Sequence, residues 1–252
     1  MLDRLLEASM TRSDQPSQPG LVAVEGLRCT GTTTLAIVLA SQLGATVIPD
    51  PADLSSPLPY PPRTLGDVHS GLDHLCRVEW QRAEVARRAR TGLVLFDRSP
   101  LSHIAHQHAV AQLGVPADPG YAAQTFTAAA SAGITLRPGR YLYLRLSHAA
   151  VAVRQRRRGP VHPHLVDPRF LAAADRAFLR YLDALPDDRR LVLDAGLPVG
   201  RLASAAAAFL AAEPTSPPPG AWTLTLDAPQ IVPAPSSTSP RATAAGAVKA
   251  RL

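Results

Sequence analysis

Lysine is all but missing from this chain of 252 residues: the single example is Lys249, and the other 25 basic residues are arginine. Any site that needs a cation must therefore draw it from arginine. Cysteine is equally scarce, with only Cys29 and Cys76, so no disulfide framework is expected and a reducing compartment suits the chain. No run approaches the roughly 18 apolar residues that a membrane span requires. The opening "MLDRLLEASMTRSDQPSQPG" lacks the apolar centre of a secretory leader. The expected setting is the cytoplasm, without a membrane partner. Aromatic residues make up only 5%, and no nucleic-acid-binding module is recognisable, which argues against a nucleic-acid partner despite a formal net charge of +6.

Hydrophobic residues supply 46% of the chain, enough to bury one sizeable core. Short apolar runs alternate with helical patterns along it. The stretches "LVAVE" (21–25), "ATVIPDP" (45–51), "LVLFD" (93–97), "RYLYLRL" (140–146) and "RLVLDA" (190–195) read as strands. Between the first two, Leu35, Val38, Leu39 and Leu43 share one helical face that Gly44 closes. Further helices are expected over 73–91, over 120–132, 148–158, 167–185 and 197–212, and after Ser99 as cap with Pro100 as first residue. Residues 51–66, "PADLSSPLPYPPRTLG", predict an irregular loop. The alternation predicts an α/β fold, a parallel sheet of about five strands with helices on both faces. Residues 1–19 are expected to be a flexible segment and 20–212 the folded domain. The Pro/Ser/Ala-rich stretch 213–252 reads as a largely disordered tail, within which "WTLTLDAPQIV" alternates well enough to dock as an edge strand.

One stretch carries chemistry. "GLRCTGTTT" (26–34) sets Gly26 and Gly31 at the spacing of a phosphate-binding Walker A loop, G-x-x-x-x-G-K-[ST], between a strand and a helix start. Backbone N–H groups and the helix dipole cradle phosphates there whatever residue fills position 32. Thr33 stands where a hydroxyl ligates Mg²⁺, and Thr34 follows it, but Thr32 occupies the lysine slot. Losing that charge-assisted contact costs about 1.5–3 kcal/mol in binding. Where the contact serves the transition state, the loss is about 10²–10³-fold in rate. Arg28, inside the loop, is the nearest replacement cation. A plain strand–turn–helix junction is the competing explanation for the glycine spacing alone.

Three later stretches bear on that choice: "VIPDP" (47–51), "GLVLFDRSPLS" (92–102) and "YLYLRLSHAAVAVRQRRRG" (141–159). With the loop, and in this order, they resemble the motifs of the deoxynucleoside kinases and their relatives the thymidylate kinases, over residues 21–212. The resemblance implies a P-loop NTPase-type sheet, Mg²⁺ and ATP as cofactor and phosphate donor, and a nucleoside or nucleotide as the small-molecule partner. It also implies roles. Asp50 would take the proton of an attacking 5′-hydroxyl. Asp97 and Thr33 would sit at Mg²⁺, and Arg98 would hold the substrate hydroxyl and the incoming phosphate. Arg154, Arg156, Arg157 and Arg158 would close over the phosphates, with Gly26, Arg28, Gly31, Thr32, Thr33 and Thr34 forming the cradle. Gln81 would recognise the base, with Arg77 and Glu79 near it. Dimerisation through helices outside the sheet is a further implication. This chain departs from the pattern at Thr32, at Asp50 where glutamate is more usual, and in the Pro-rich insertion after Asp50. Asp-Arg-Ser at 97–99, where thymidylate kinases usually carry Asp-Arg-Tyr, tilts the acceptor towards a nucleoside.

Two functions therefore stand side by side. One is phosphate transfer from ATP to a nucleoside hydroxyl or a nucleoside monophosphate. The other is a catalytically inactive relative that keeps nucleotide binding and acts on a partner. The retained Asp50, Asp97 and Arg98 favour the first and Thr32 the second. The cluster "HIAHQH" brings His103, His106 and His108 together, but no cysteine or carboxylate stands at ligand spacing beside them.

Overall fold

Residues 20–56, 60–160 and 162–222 are described by the structure, a computed structural model. Five strands form its centre: β1 (Gly20–Gly26), β2 (Thr46–Ile48), β3 (Leu93–Asp97), β4 (Arg140–Arg145) and β5 (Arg190–Asp194). They pair in the order β2-β3-β1-β4-β5, and every pair is parallel. Parallel neighbours need long crossovers, and here these are the helices. They are α1 (Thr32–Leu43), α2 (Pro51–Leu54), α3 (Leu65–Arg87), α4 (Pro100–Ala111), α5 (Pro119–Ser131), α6 (His148–Arg158), α7 (Pro168–Asp183) and α8 (Val199–Ala211). The expected α/β class and five-stranded parallel sheet are what the chain adopts.

Strand periodicity divides the core into two layers, because successive side chains point to opposite faces. Along β4, Leu142 and Leu144 meet Leu35, Leu39, Leu202 and Ala206 of α1 and α8. Tyr141 and Tyr143 point the other way, into the layer built by α3, α4, α5 and α7. Residues Val22 and Val24 of β1 join the first layer and Ala23 the second. With both faces covered, the strands read as apolar runs. No helix among the described residues is long and apolar enough to cross a membrane.

Three local expectations need correction. The 51–66 stretch is not wholly irregular: Asp50 caps the single turn of α2 by accepting the Ala52 N–H at 2.9 Å. Helix α3 begins at Leu65, not Asp73. Thr64 accepts the Asp67 N–H at 3.1 Å while the Asp67 carboxylate accepts the Thr64 N–H at 2.9 Å, a capping box that starts the helix early. On α1 the buried face is Thr32, Leu35, Ala36 and Leu39, and Leu43 is exposed.

The packed body also passes the expected boundary at 212. Arg140, buried at the start of β4, donates to the carbonyls of Phe209, Leu210 and Ala212. Beyond it, the Asp188 carboxylate accepts the N–H groups of Thr215 and Ser216 at 2.7 and 2.8 Å. Trp222, 0% exposed, then enters the second layer and donates its indole N–H to the Tyr141 hydroxyl at 3.2 Å. The Arg137 guanidinium lies over its ring at 5.0 Å. Residues 213–222 are thus a strap rather than tail. The flexible segment expected over 1–19, and all of the edge strand expected over 222–232 except Trp222, fall outside the described residues.

Truncating Trp222 to alanine should cost about 3–5 kcal/mol, as for other buried aromatics. Urea denaturation of the wild type and Trp222→Ala measures this. Equal midpoints would mean that the strap adds nothing to the core.

Candidate active site

Strand order reverses at β1, which lies between β3 and β4, and ligands of open parallel sheets gather at such switch points beyond the carboxyl ends of the strands. The loop after β1 runs from Leu27 to Gly31. Gly26 is required at its start, since a Cβ there would clash with the Thr30 hydroxyl and lie 2.9 Å from the Leu144 carbonyl oxygen. Gly31 takes φ 106°, and Cys29 also adopts a left-handed φ of 67°. Gly31 offers no side chain to cap α1. The first-turn N–H groups of α1 therefore remain available, whereas Ser99, Asp118, Ser147 and Asp167 cap the starts of α4, α5, α6 and α7.

The turn after β3 faces this loop. Asp97, 0% exposed, accepts a short hydrogen bond from the Thr33 hydroxyl on Oδ2, and its Oδ1 is buried without a hydrogen-bond partner among the described residues. Arg98 folds back across the loop. Its guanidinium donates to the Gly26 carbonyl at 2.7 Å and meets Asp50 Oδ2 at 2.9 Å through Nε. From the other side Arg154 of α6 donates to the Thr30 carbonyl at 3.4 Å and to the Ala195 carbonyl at 3.2 Å. Asp50, Asp97, Arg98, Thr33 and Arg154 therefore converge on one loop.

No protein-family model matches the sequence, and no curated protein does either. Solved structures do match. A deoxyadenosine kinase from M. mycoides, with the products dCMP and a flexible dCDP bound, aligns over 75% of this chain and 98% of its own, at 17% identity and a TM-score of 0.56. The same enzyme with dATP bound aligns over 76% and 99%, at 15% identity and a TM-score of 0.56. Thymidylate kinase from Candida albicans aligns over 77% and 92%, at 16% identity and a TM-score of 0.52. The fold is that of the deoxynucleoside and thymidylate kinases.

On this kinase fold the remaining sequence candidates take different places. Thr32 is only 5% exposed, packed into the first turn of α1, while Thr33 and Thr34 are exposed beside it. Arg28 is exposed at the tip of the loop, and Arg156, Arg157 and Arg158 are exposed along the last turn of α6. Arg154 is exposed as well, but it is the one that donates to the Thr30 carbonyl of the loop. Gln81 and Arg77 share the exposed stripe of α3, so the structure does not bring them into the convergent set. Their neighbour Glu79 points inward. The buried Arg82 donates to both of its carboxylate oxygens, at 2.7 and 2.8 Å, and the His103 ring lies 3.1 Å from Oε1. Burial alone would raise the Glu79 carboxyl, but Arg82 and His103 outweigh it and hold it below the usual range.

Two residues were missed by sequence reasoning. Arg82, 0% exposed, also donates to the carbonyls of Asp97 and Arg98, at 2.9 and 2.7 Å, and so clamps the turn from beneath. Its signal was an Glu-x-x-Arg pair on a mostly buried helix face. Glu25, the one charged residue of β1, accepts the Ser99 N–H at 2.8 Å and the Ser99 and Ser102 hydroxyls at 2.5 and 2.6 Å. Burial pushes its carboxyl up to about 7 against the hydrogen bonds from Ser102 and Ser99 and the charge of Arg98.

The histidines scatter. His103 turns to Glu79 and stacks on Phe126 at 5.3 Å, whereas His106 lies between Tyr60 and Phe170, at 5.8 and 5.4 Å. Among the described residues no group of three His, Cys, Asp or Glu is placed to hold a metal ion. Burial, with some repulsion from His103, pushes His106 down to about 4. Its folded pKa lies below the unfolded 6.5, so it contributes stability that is present above pH 6.5 and lost as the pH falls through 4. Replacing it with phenylalanine should flatten the acid limb of stability between pH 6.5 and 4 by roughly 1–3 kcal/mol. Urea midpoints across that range check this, and an unchanged acid limb would refute it.

Gly26→Ala should weaken the loop by about 1–3 kcal/mol, the usual cost of overpacking a close backbone approach. Thermal melting in the absence of nucleotide measures the loss, and a melting temperature equal to the wild type would show that the loop relaxes freely.

Proposed function

We propose that the chain is a phosphotransferase that moves the γ-phosphate of ATP to a nucleoside 5′-hydroxyl or to a nucleoside monophosphate. The observation that carries this reading is the convergence of Asp50, Asp97, Arg98 and Arg154 on an uncapped helix start whose loop needs glycine at position 26. Neighbours of the same fold bind dATP, dCMP and dCDP by their own descriptions, which supports a nucleotide-sized ligand here.

The chemistry follows from the groups present. The α1 N–H groups and the loop backbone take the phosphates. An acceptor hydroxyl beside Asp50 gives its proton to that carboxylate as its oxygen bonds the γ-phosphorus. The bond from the γ-phosphorus to the bridging oxygen breaks, and ADP leaves. Arg98 and Arg154 approach the loop from opposite sides and balance charge on the transferring group, the task a loop lysine would otherwise share. The residues also fit a hard divalent cation: Asp97 Oδ1 is an unpartnered buried carboxylate oxygen, and the Thr33 hydroxyl is bonded to the same carboxylate. Asp97 and Thr33 would hold Mg²⁺, which would neutralise charge between the β- and γ-phosphates.

The inactive relative stays as the second reading because of one observation. Thr32 is buried at the lysine slot and carries no charge, so the charge balance rests on arginines alone. Transfer of label from γ-labelled ATP with Mg²⁺ to a pool of nucleosides and nucleoside monophosphates separates the two. The wild type should form product, and Asp50→Ala should lose about 10²–10⁴-fold of it. Product from Thr32→Lys alone would favour the inactive relative. Product from neither protein would remove phosphate transfer altogether.

A further inference from the structure

Arg98 carries its guanidinium on a backbone that L-residues rarely adopt, φ 68° at a residue with a long side chain. Such a conformation persists only where the surroundings over-determine it. Four backbone polar groups of this turn have named partners. The Arg98 N–H donates to the Val24 carbonyl at 3.0 Å, Arg82 holds the carbonyls of Asp97 and Arg98, and the Ser99 N–H goes to Glu25. Glu25 does more than close the last of these. Its second oxygen accepts the Ser102 hydroxyl, and that hydroxyl is also 3.4 Å from the Arg98 guanidinium.

We propose that Glu25 is a positioning residue that aims the Arg98 guanidinium at the loop and at Asp50, acting through Ser99 and Ser102. All three donors to its carboxylate come from residues that follow Arg98 within one turn of helix. One oxygen fixes the peptide after the left-handed residue, and so the direction in which the side chain leaves the backbone. The other fixes the hydroxyl on which the guanidinium rests. A carboxylate buried in a central strand is costly unless such donors meet it, and an apolar residue would fill β1 without that cost. Its presence is accounted for by the turn that it holds. Only the link from Arg98 to phosphate transfer rests on the function proposed above; the aiming of Arg98 does not.

The Arg98 Nε–H, bonded to Asp50, gives a direct reporter in a ¹⁵N spectrum of the full chain, identified by its loss in Arg98→Lys. In Glu25→Met, which keeps the volume and removes the acceptors, its exchange with solvent should rise by about tenfold or more. Glu25→Gln, which keeps an acceptor for the Ser99 N–H, should restore most of the protection. Ser102→Ala, a milder change, should raise exchange to an intermediate level. In the same variants kcat should fall while the KM for ATP stays within about twofold, because Glu25 touches neither substrate. Wild-type protection of Arg98 in a folded Glu25→Met protein overturns the proposal. Should that variant not fold, wild-type protection in Ser102→Ala overturns it. Absence of transfer by the wild type would count against the proposed function, and the exchange rates would still decide the role of Glu25.

Discussion

The peptide turn that follows β3 governs the carboxyl edge of the sheet. Asp97 must end a buried strand with its carboxylate beside Thr33, and one residue later Arg98 must send its side chain across the neighbouring loop. A right-handed backbone at Arg98 would point the guanidinium elsewhere. The left-handed one is held by two buried charges, Glu25 on β1 and Arg82 on α3. Each is itself balanced, Glu25 by serine donors and Arg82 by Glu79. The turn is therefore a product of three elements: α3 and β3, which follow one another in the chain, and β1, remote in sequence and brought beside them by its pairing with β3.

For the phosphotransferase proposed above, this clamp gives a physical account of how a glycine loop without lysine keeps a positive centre. A lysine in the first turn of α1 would carry its charge on a flexible stem. Arginine reaches the same region from two separate supports: Arg98 from a rigid turn and Arg154 from α6. A guanidinium presents its donors in a fixed fork, so its placement depends on the backbone that bears it more than an ammonium's does. Rigid support beneath Arg98 is what such a substitution requires. The chain's near-total use of arginine for positive charge and the buried clamp are consistent features of one arrangement.

The opposite edge of the sheet shows a related economy. Asp188, Arg189 and Tyr141 tie the strap of residues 213–222 to the bottoms of β4 and β5. Nothing in that stretch has helical or strand period, and its prolines read as tail. It is ordered by side chains from elsewhere that satisfy its backbone, with Trp222 as the apolar anchor. Composition describes what a segment does alone, and this segment is not alone.

Local pattern by itself determined the class of fold: apolar runs of strand length alternating with helical faces admit little but a parallel sheet covered on both sides. It also marked the glycine loop, and it made the strand ends readable from period and punctuation, where the resemblance to kinase motifs then picked out the carboxylate after β2 and the Asp-Arg pair at the end of β3. Tertiary structure alone decided which arginines matter. Arg154, Arg156, Arg157 and Arg158 are equivalent as letters, yet only the helical phase of α6 turns Arg154 towards Thr30. It likewise chose Glu79 over Gln81, two positions apart on α3, because burial depends on what that helix packs against. Glu25 and Ser99 are 74 residues apart, and no local rule couples them. Their bond exists because two strands meet, and a meeting of strands is decided by the whole core rather than by either segment.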